Sequence, residues 1–268
     1  MRRALAALLL LAPTGARGEF RIPVMLMSGL PLVWGEKGPF DPGSRPATAY
    51  AELSREFDFR PVDVLDEATL GRGRILFLAQ PQRLAPAELT ALDAWMRRGG
   101  RALILTDPVL TWPSELPPGD IRRPPPAGLL SPLLGHWGVT VEPPAEAGIV
   151  EARWDGRPIR LDSPGRLRSS SPDCEVEPGG WKAFCQIGIG KVTVVADADF
   201  LHDSLWAPHK ADNVVLVGEW LDQLAEVTRP RPRRAEWRGE RAVAGALTIA
   251  LLLAAAGIGL LPRRRRKR

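Results

Sequence analysis

The stretch RILFLAQPQRLAPAELTALDAWMRRGGRALILT, residues 74–106, decides the fold class of this chain. Its two apolar runs, 74–79 and 101–106, are typical of strands that a parallel sheet buries on both faces. Between them, Pro86 opens a helix and the double glycine at 99–100 ends it. A strand, a helix and a second strand in this order form a right-handed parallel crossover. The stretch therefore predicts an α/β protein.

The same alternation continues on both sides of this unit. We predict three further buried strands and three further helices from the spacing of apolar residues. The strands cover residues 21–27, 59–65 and 191–196, and the helices cover residues 46–57, 129–137 and 211–227. Residues 139–188 suit short antiparallel strands. The predicted architecture is a mostly parallel open sheet with an antiparallel hairpin insertion.

The charge of the chain is concentrated at its ends. The formal net charge is +5. Six basic residues lie in 263–268, three lie in 1–18, and 229–241 carries a net +4, so residues 19–228 are left with a net charge of −8. An acidic folded part lacks the electrostatic footprint that phosphate backbones require. We therefore exclude nucleic acid as a partner.

Both termini read as targeting segments and not as parts of the fold. Residues 1–18 have a charged start, a short apolar run and small residues before Gly18, which is the layout of a cleaved signal peptide. Residues 242–261 form an uncharged apolar run long enough to cross the hydrocarbon core as a helix. Residues 262–268 are a basic tail, which marks the cytoplasmic end of such a span.

These segments predict a single-pass protein of the cell (inner) membrane. Residues 19–228 would form an exported, periplasmic α/β domain. Residues 229–241, rich in Arg and Pro, would be an extended juxtamembrane linker. The tail would face the cytoplasm.

The two cysteines, Cys174 and Cys185, flank a predicted hairpin. The glycine pair at 179–180 supplies the positive φ angles that tight turns need. Pro178 cannot donate the hydrogen bond that closes a two-residue loop, so a four-residue loop, 178–181, fits better. This loop places the two cysteines opposite each other, and export places them in an oxidising compartment. We predict a disulfide.

Two longer stretches resemble a known family. They are LDAWMRRGGRALILTDP (92–108) and GIGKVTVVADADFL (188–201) with the later Asp212-Asn213. Over about residues 20–227 the chain is similar to the auxiliary, gliding-motility-type component of uncharacterised ABC transport systems. The domain of that family is also related to one in intraflagellar transport.

The resemblance implies an amidotransferase-like domain without catalytic residues. Its fold is similar to class I glutamine amidotransferases and flavodoxin-like proteins, used for binding or assembly. It implies an ABC-type permease or another envelope protein as partner, and no cofactor. This chain departs from larger transporter components in having one predicted span and no ATP-binding motif.

The residues favour a protein that is not an enzyme. An amidotransferase-like enzyme would carry Cys or Ser on the sharp turn after a central strand, with a His to activate it. The turn after the strand 74–79 is Gln80-Pro81-Gln82, which offers no nucleophile. Both cysteines are assigned to the hairpin.

Polar and aromatic residues follow the predicted strands, at the sheet edge where open α/β sheets bind ligands. Our candidates for binding a ligand or partner there are Trp34, Asp107, Trp112, Asp197, Asp199, His202 and Trp206. The alternative is a metal-dependent hydrolase acting at residues 197–213, with Asp199, His202 and His209 as metal ligands. A structural interpretation is also open, in which Asp199 and Asp203 organise turns while Asp212 or Asn213 caps the last helix. For the tryptophans, the alternative interpretation is that they cover the core.

Overall fold

The computed structural model describes residues 21–207 and 210–229. The predicted signal peptide, membrane span and tail lie outside these residues, as does His209. None of the helices within the described ranges is long and apolar enough to cross a membrane.

The described chain alternates strands and helices through its first half and then forms a run of short strands. The strands are β1 (Ile22–Ser28), β2 (Phe57–Pro61), β3 (Ile75–Ala79), β4 (Arg101–Leu105), β5 (Val139–Glu142), β6 (Ile149–Trp154), β7 (Arg157–Asp162), β8 (Arg166–Ser169), β9 (Cys174–Val176), β10 (Lys182–Ile187) and β11 (Gly190–Val195). The helices are α1 (Thr48–Leu53), α2 (Glu67–Leu70), α3 (Pro86–Arg97), α4 (Ser131–His136), α5 (Asp203–Trp206) and α6 (Asn213–Ala225), with a 3₁₀ turn at Asp199–Leu201.

A seven-stranded sheet in the order β2-β1-β3-β4-β11-β10-β9 organises the fold. Its first five strands are parallel, whereas β10 and β9 add an antiparallel margin. Two smaller antiparallel pairs, β5 with β8 and β6 with β7, complete the strands. The prediction of a mixed α/β protein with a mostly parallel sheet is confirmed.

The crossover that we predicted from residues 74–106 is present as β3-α3-β4. The two strands pair in parallel, with Leu76 beside Ala102. Every residue of β3 is buried, and α3 turns Leu92, Trp95 and Met96 toward the sheet. This is the pattern of a strand covered on both faces, as expected for a parallel sheet.

Alternate residues of the central strands pack into two separate cores, one on each face of the sheet. In β3, Ile75 and Phe77 enter the core that α1, α6 and β7 cover. Leu76 and Leu78 enter the core that α2, α3 and α4 cover. Because side chains alternate along a strand, one apolar run serves both cores.

The predicted helix 46–57 is wrong at its C-terminal end. The helix stops at Leu53, and Phe57 is the first residue of β2. Phe57 and Phe59 are buried whereas Asp58 is half-buried, so the segment follows the period of two of a strand. The helix α2, which begins where Asp66 accepts a hydrogen bond from the Thr69 N–H, was not predicted.

The predicted disulfide hairpin is confirmed. Cys174 and Cys185 are bonded, and they face each other in the pairing of β9 with β10. The N–H of Glu177 donates to the carbonyl of Lys182 at 2.9 Å, which closes the predicted four-residue loop 178–181. The hairpin joins the main sheet through β11, while β6 and β7 form a second hairpin outside it.

Candidate functional site

Three carboxylates meet where two neighbouring strands end. Asp107 follows β4, while Asp197 and Asp199 follow β11, and these strands pair in parallel. All three residues are buried, and one carboxylate oxygen from each lies within 4.8 Å of the others. We call this group the carboxylate cluster. It forms because the carboxyl ends of adjacent parallel strands share one edge of the sheet.

Asp107 connects the two strand ends through its side chain. One carboxylate oxygen accepts a hydrogen bond from the N–H of Val109 at 2.8 Å, within its own turn. The other accepts from the N–H of Ala198 at 3.1 Å, in the turn after β11. The side chain therefore fixes the two turns relative to each other.

The other two members fasten further segments to this edge. Asp197 accepts hydrogen bonds from the N–H groups of Asp162 and Phe200, both at 2.9 Å. Asp199 accepts from the N–H of Thr111 at 2.7 Å and from its hydroxyl at 2.9 Å. The cluster thus connects the end of β7, the loop after β4 and the turn after β11.

The cluster favours protonated carboxyls. Burial, with the nearby charge of Asp199, raises the pKa of Asp107 to about 7. Burial and the charges of Asp107 and Asp199 raise the pKa of Asp197 well above its usual value. Burial also raises the pKa of Asp199. Such groups could exchange protons near neutral pH or share a hard divalent cation through their oxygens.

Two residues of the alternative metal-ligand set, Asp199 and His202, lie within the described ranges. His202 lies before α5, where its Nδ1 accepts a hydrogen bond from the Ser204 N–H at 3.3 Å and lies 2.7 Å from the Ser204 hydroxyl oxygen. This is a helix-capping geometry. The indole of Trp112 packs edge-on against the imidazole, with ring centroids 4.8 Å apart. Asp107 and Asp197 are also gathered closely around Asp199.

The three candidate tryptophans occupy three different environments. Trp34 is 52% exposed and lines a cavity of about 510 Å³ together with Glu36, Arg45 and Arg122. Trp112 lines a separate cavity of about 560 Å³. Trp206 is buried, and its Nε1 donates to the carbonyl of Leu201 at 3.1 Å. The structure therefore makes Trp206 part of the core and leaves Trp34 at the surface.

Gln80 is a residue of this edge that sequence reasoning did not include. It follows β3, has a positive φ of 44° and is fully buried. Its side-chain amide donates to the carbonyls of Asp107 and Pro125 at 3.1 and 3.0 Å, and its oxygen accepts from the Asp107 N–H at 2.8 Å. The available signal was its position on the turn after a central strand, where an amidotransferase-like enzyme carries its nucleophile.

The loops above the cluster expose large apolar side chains. We call the segments 29–47, 62–66 and 106–130 the loop edge, because each follows the C-terminal end of a parallel strand or continues such a turn. Their exposed apolar residues are Trp34, Phe40, Val64, Val109 and Ile121. Phe40 is 98% exposed and Ile121 is 87% exposed.

Comparison with known families confirms the resemblance found in the sequence. Residues 23–149 match the family model described as "ABC-type uncharacterized transport system" (ABC_transp_aux). The match supports an auxiliary component of an ABC-type transport system. No protein with a curated description matches the chain.

Several solved structures have a similar chain path at low sequence identity. The "mmIFT52 N-terminal domain" is 13% identical with a TM-score of 0.49, and the match covers 78% of this chain and 100% of that one. "Cytoplasmic Protein STM1381" from Salmonella typhimurium LT2 is 11% identical, with a TM-score of 0.45 and coverage of 78% and 100%. The exo-β-1,4-mannosidase Op5Man5 from Opitutaceae bacterium strain TAV5 is 13% identical, with a TM-score of 0.43. That match covers 78% of this chain and 36% of the mannosidase.

Proposed function

We propose, from the match of residues 23–149 to the family of ABC-type uncharacterized transport systems, that this chain is a binding or assembly component of an ABC-type transport complex. In this proposal residues 19–228 form a non-catalytic extracytoplasmic domain. A single span at 242–261 anchors the domain in the cell (inner) membrane, after removal of the signal peptide. The partner is an ABC-type permease or another envelope protein.

The observation that carries the proposal is the exposed apolar surface of the loop edge. Phe40 and Ile121 are almost fully exposed, and Trp34 is half exposed. Exposed apolar side chains gathered on one part of a surface are typical of protein interaction sites. Tryptophan and phenylalanine are also enriched at interfaces, because each buries a large area at low entropic cost.

The environment of Gln80 supports a role without catalysis. On the turn where a related enzyme would present a nucleophile to solvent, Gln80 points inward and its amide holds the backbone of Asp107. Both cysteines of the chain are in the disulfide. His202 and Ser204 form a histidine–hydroxyl pair, and this pair has the geometry of a helix cap.

The strand order supports the finer fold class in the proposal. The five parallel strands run in the order β2-β1-β3-β4-β11, which corresponds to the doubly wound order 2-1-3-4-5 of flavodoxin-like proteins. In this order the C-terminal strand ends form the ligand-binding edge. The loop edge lies there.

Recovery of the transporter from native membranes tests the proposal. The full chain, solubilised in mild detergent, is expected to copurify with an ABC permease and its ATPase. The double variant Phe40→Asp/Ile121→Asp should reduce that recovery at least about tenfold, since charges would enter the apolar contact. Phe184→Asp is the matched control, because Phe184 is 39% exposed in β10, in the antiparallel margin of the sheet. Equal recovery from all three proteins, or no transporter subunit with wild type, would refute the proposal.

A metal-dependent hydrolase is the second candidate, and the carboxylate cluster is the observation that favours it. Metal analysis of the purified full chain separates the two functions. The binding role predicts much less than one divalent ion per chain. One equivalent of manganese, magnesium or zinc that is lost in Asp199→Asn would establish a metal site and favour the hydrolase. His202→Ala tests His202, the other residue of the set Asp199, His202 and His209 that lies within the described ranges.

A further inference from the structure

The end of the sheet opposite the loop edge is basic. The parallel strands begin there, and the segments 21, 54–56, 71–74, 98–101, 188–191 and 226–229 meet there. We call these segments the basic end. Their eight basic residues are Arg21, Arg55, Arg72, Arg74, Arg98, Arg101, Lys191 and Arg229, and their two acidic residues are Glu56 and Glu226. This positive surface belongs to a domain whose residues 19–228 carry a net charge of −8.

Backbone hydrogen bonds hold the central part of the basic end together. The N–H of Arg101 donates to the carbonyl of Arg74 at 3.0 Å, and the N–H of Lys191 donates to the carbonyl of Gly100 at 3.1 Å. The N–H of Ile189 donates to the carbonyl of Arg97 at 3.3 Å. These turns therefore form one continuous surface.

Both acidic side chains of the basic end are paired. Glu226 lies 2.7 Å from a guanidinium nitrogen of Arg101 and 3.4 Å from the amine of Lys191. Glu56 lies 3.3 Å from a guanidinium nitrogen of Arg229. Acids just outside these turns pair with Arg55 (Glu52), Arg98 (Glu67) and Arg229 (Asp222), and the charge of Arg72 acts on Asp66. With the two acids inside the turns, six acids face eight basic residues, so an excess of positive charge remains.

The first and last described residues also lie at this end. The N–H of Ile22, next to Arg21, donates to the carbonyl of Glu56, and a guanidinium nitrogen of Arg229 donates to the same carbonyl. The expected membrane span begins at residue 242. The twelve residues 230–241 can reach at most about 43 Å, even if fully extended. They carry five further arginines and two glutamates, so positive charge continues from the basic end toward the expected span.

An exposed apolar side chain lies among these charges. Ile189, in the β10–β11 turn, is 74% exposed. Its Cδ1 lies 3.5 Å from the position that a Cβ on Gly99 would take, so it covers the double glycine after α3. Basic residues around an exposed apolar residue match the headgroup region of a bilayer, where the charges meet phosphates and the apolar group meets acyl chains.

We propose that the basic end docks on a membrane surface that carries anionic lipid headgroups. The inference rests on the membrane anchoring of the proposed function and adds an orientation to it. Docking would hold the loop edge away from the bilayer by about the length of β1, seven residues at about 3.3 Å each, or about 23 Å. The loop edge would then face a second protein and not the lipid.

Fluorescence on vesicles tests the docking. The full chain is reconstituted into vesicles of phosphatidylcholine alone, or with about a third of phosphatidylglycerol. Because the native cysteines are bonded to each other, a thiol-reactive dye labels the introduced cysteine of I189C or of the control I121C. A lipid-headgroup dye should quench the label of I189C strongly on anionic vesicles and weakly on neutral ones. The label of I121C should be weakly quenched on both.

Salt and charge reversal test the electrostatic origin of the docking. Raising the salt concentration from 0.1 M to 1 M shortens the Debye length from about 10 Å to about 3 Å and should release the I189C label. Arg72→Glu/Arg74→Glu should lower the ratio of docked to undocked protein at least about 25-fold, at about fivefold for each basic residue lost. Arg83→Glu/Arg153→Glu is the control with the same net charge, because both residues lie outside the basic end. It should dock as I189C without further substitutions does.

Flotation of the same vesicles separates this inference from the proposed function. Protein that does not float with neutral vesicles would contradict the membrane anchor of the proposed function. Docking is measured separately, by the quenching of the I189C label. Anchored protein with equal quenching of I189C on neutral and anionic vesicles would overturn the docking. If Arg72→Glu/Arg74→Glu abolishes recovery of the transporter without changing the quenching, the basic end binds an acidic protein, and the assignment to lipid is overturned.

Discussion

Asp107 and Gln80 show how buried polar side chains hold the loop edge in place. Asp107 accepts N–H groups from the turns after two different strands, and Gln80 binds both backbone polar groups of Asp107. The N–H groups of Asp107 and Ala198 would otherwise be buried without a partner, whereas the carbonyl of Asp107 also accepts from the N–H of Gly128 at 2.6 Å. The cost is a buried carboxyl whose pKa is raised to about 7, chiefly by its burial.

The raised pKa of Asp107 predicts the pH dependence of stability. The folded protein binds this proton more tightly than the unfolded chain, so the group's contribution is fully present below its unfolded pKa of about 4 and is lost as the pH rises through about 7. We expect the free energy of unfolding to fall between pH 5 and pH 8. In Asp107→Asn this fall should be smaller by about 2 kcal/mol.

Urea unfolding at the two pH values measures this effect. The absolute stability of Asp107→Asn should also be lower, because the new amide NH₂ must face an N–H that the carboxylate accepted. The change with pH is therefore the informative quantity. Asp155→Asn, in the exposed β6–β7 turn, is the control and should keep the wild-type change. An unchanged pH dependence in Asp107→Asn would contradict the titration assigned to Asp107.

At the scale of elements, two close contacts fix the margin of the sheet. The disulfide joins β9 to β10, and β9 is a strand of three residues at the edge. Helix α3 approaches β11 so closely that a Cβ on Gly190 would lie 2.1 Å from the carbonyl oxygen of Met96. Covalent constraint stabilises the first contact and the absence of a side chain permits the second.

Removal of the disulfide should cost little and act locally. Cys174→Ala/Cys185→Ala should lower the free energy of unfolding by about 2 kcal/mol, since the bond closes a short loop that its turn already favours. Hydrogen exchange should speed up in β9 and β10 and stay slow in β3 and β4. Exchange that speeds up equally across all four strands would contradict a local role. Two free thiols in exported wild type would contradict the bond itself.

Gly190→Ala should destabilise the protein by about 2–3 kcal/mol, because the added methyl group meets the backbone of α3, which cannot move aside cheaply. Gly135→Ala is the matched control. Gly135 lies in α4, where nothing is within 4 Å of an added Cβ, so alanine should be neutral or stabilise by up to about 1 kcal/mol. Thermal unfolding of both variants tests the pair. Similar shifts in the two would contradict the close approach of α3 to β11.

At the scale of the whole molecule, the sheet separates two surfaces of different character. The loop edge exposes apolar side chains above the buried carboxylate cluster, whereas the basic end gathers arginines and both ends of the described domain. Parallel strands produce this separation, since every connection returns to the end where strands begin. A domain tethered at its basic end would present the loop edge to other proteins.

Topology reporters test the tether. A reporter fused after Thr228 should behave as exported, and one fused after Arg268 should behave as cytoplasmic, because a predicted signal peptide precedes the domain and a basic cluster follows the expected span. Alkaline phosphatase and green fluorescent protein fusions at both positions measure this. A phosphatase that is active after Arg268 would contradict the single span.

The sequence by itself determined the parallel crossover, the buried strands β1 and β11, the closing helix α6 and the pairing of the two cysteines. Apolar periodicity, helix-ending glycines and turn chemistry are local, so they can be recognised within about 30 residues. The sequence also placed Asp107, Asp197 and Asp199 at the ends of strands. It did not show that these three carboxylates meet, since nothing local specifies that β4 and β11 are neighbours.

Only the tertiary structure decided which residues share a surface. Asp107 contacts the turn of Ala198, 91 residues later, and Gln80 contacts Pro125, 45 residues later. Phe57 belongs to a strand because the core that it enters is built by distant elements, and this burial outweighs its helical spacing. The basic end likewise arises from six separate segments that come together only when the strands are ordered in the sheet.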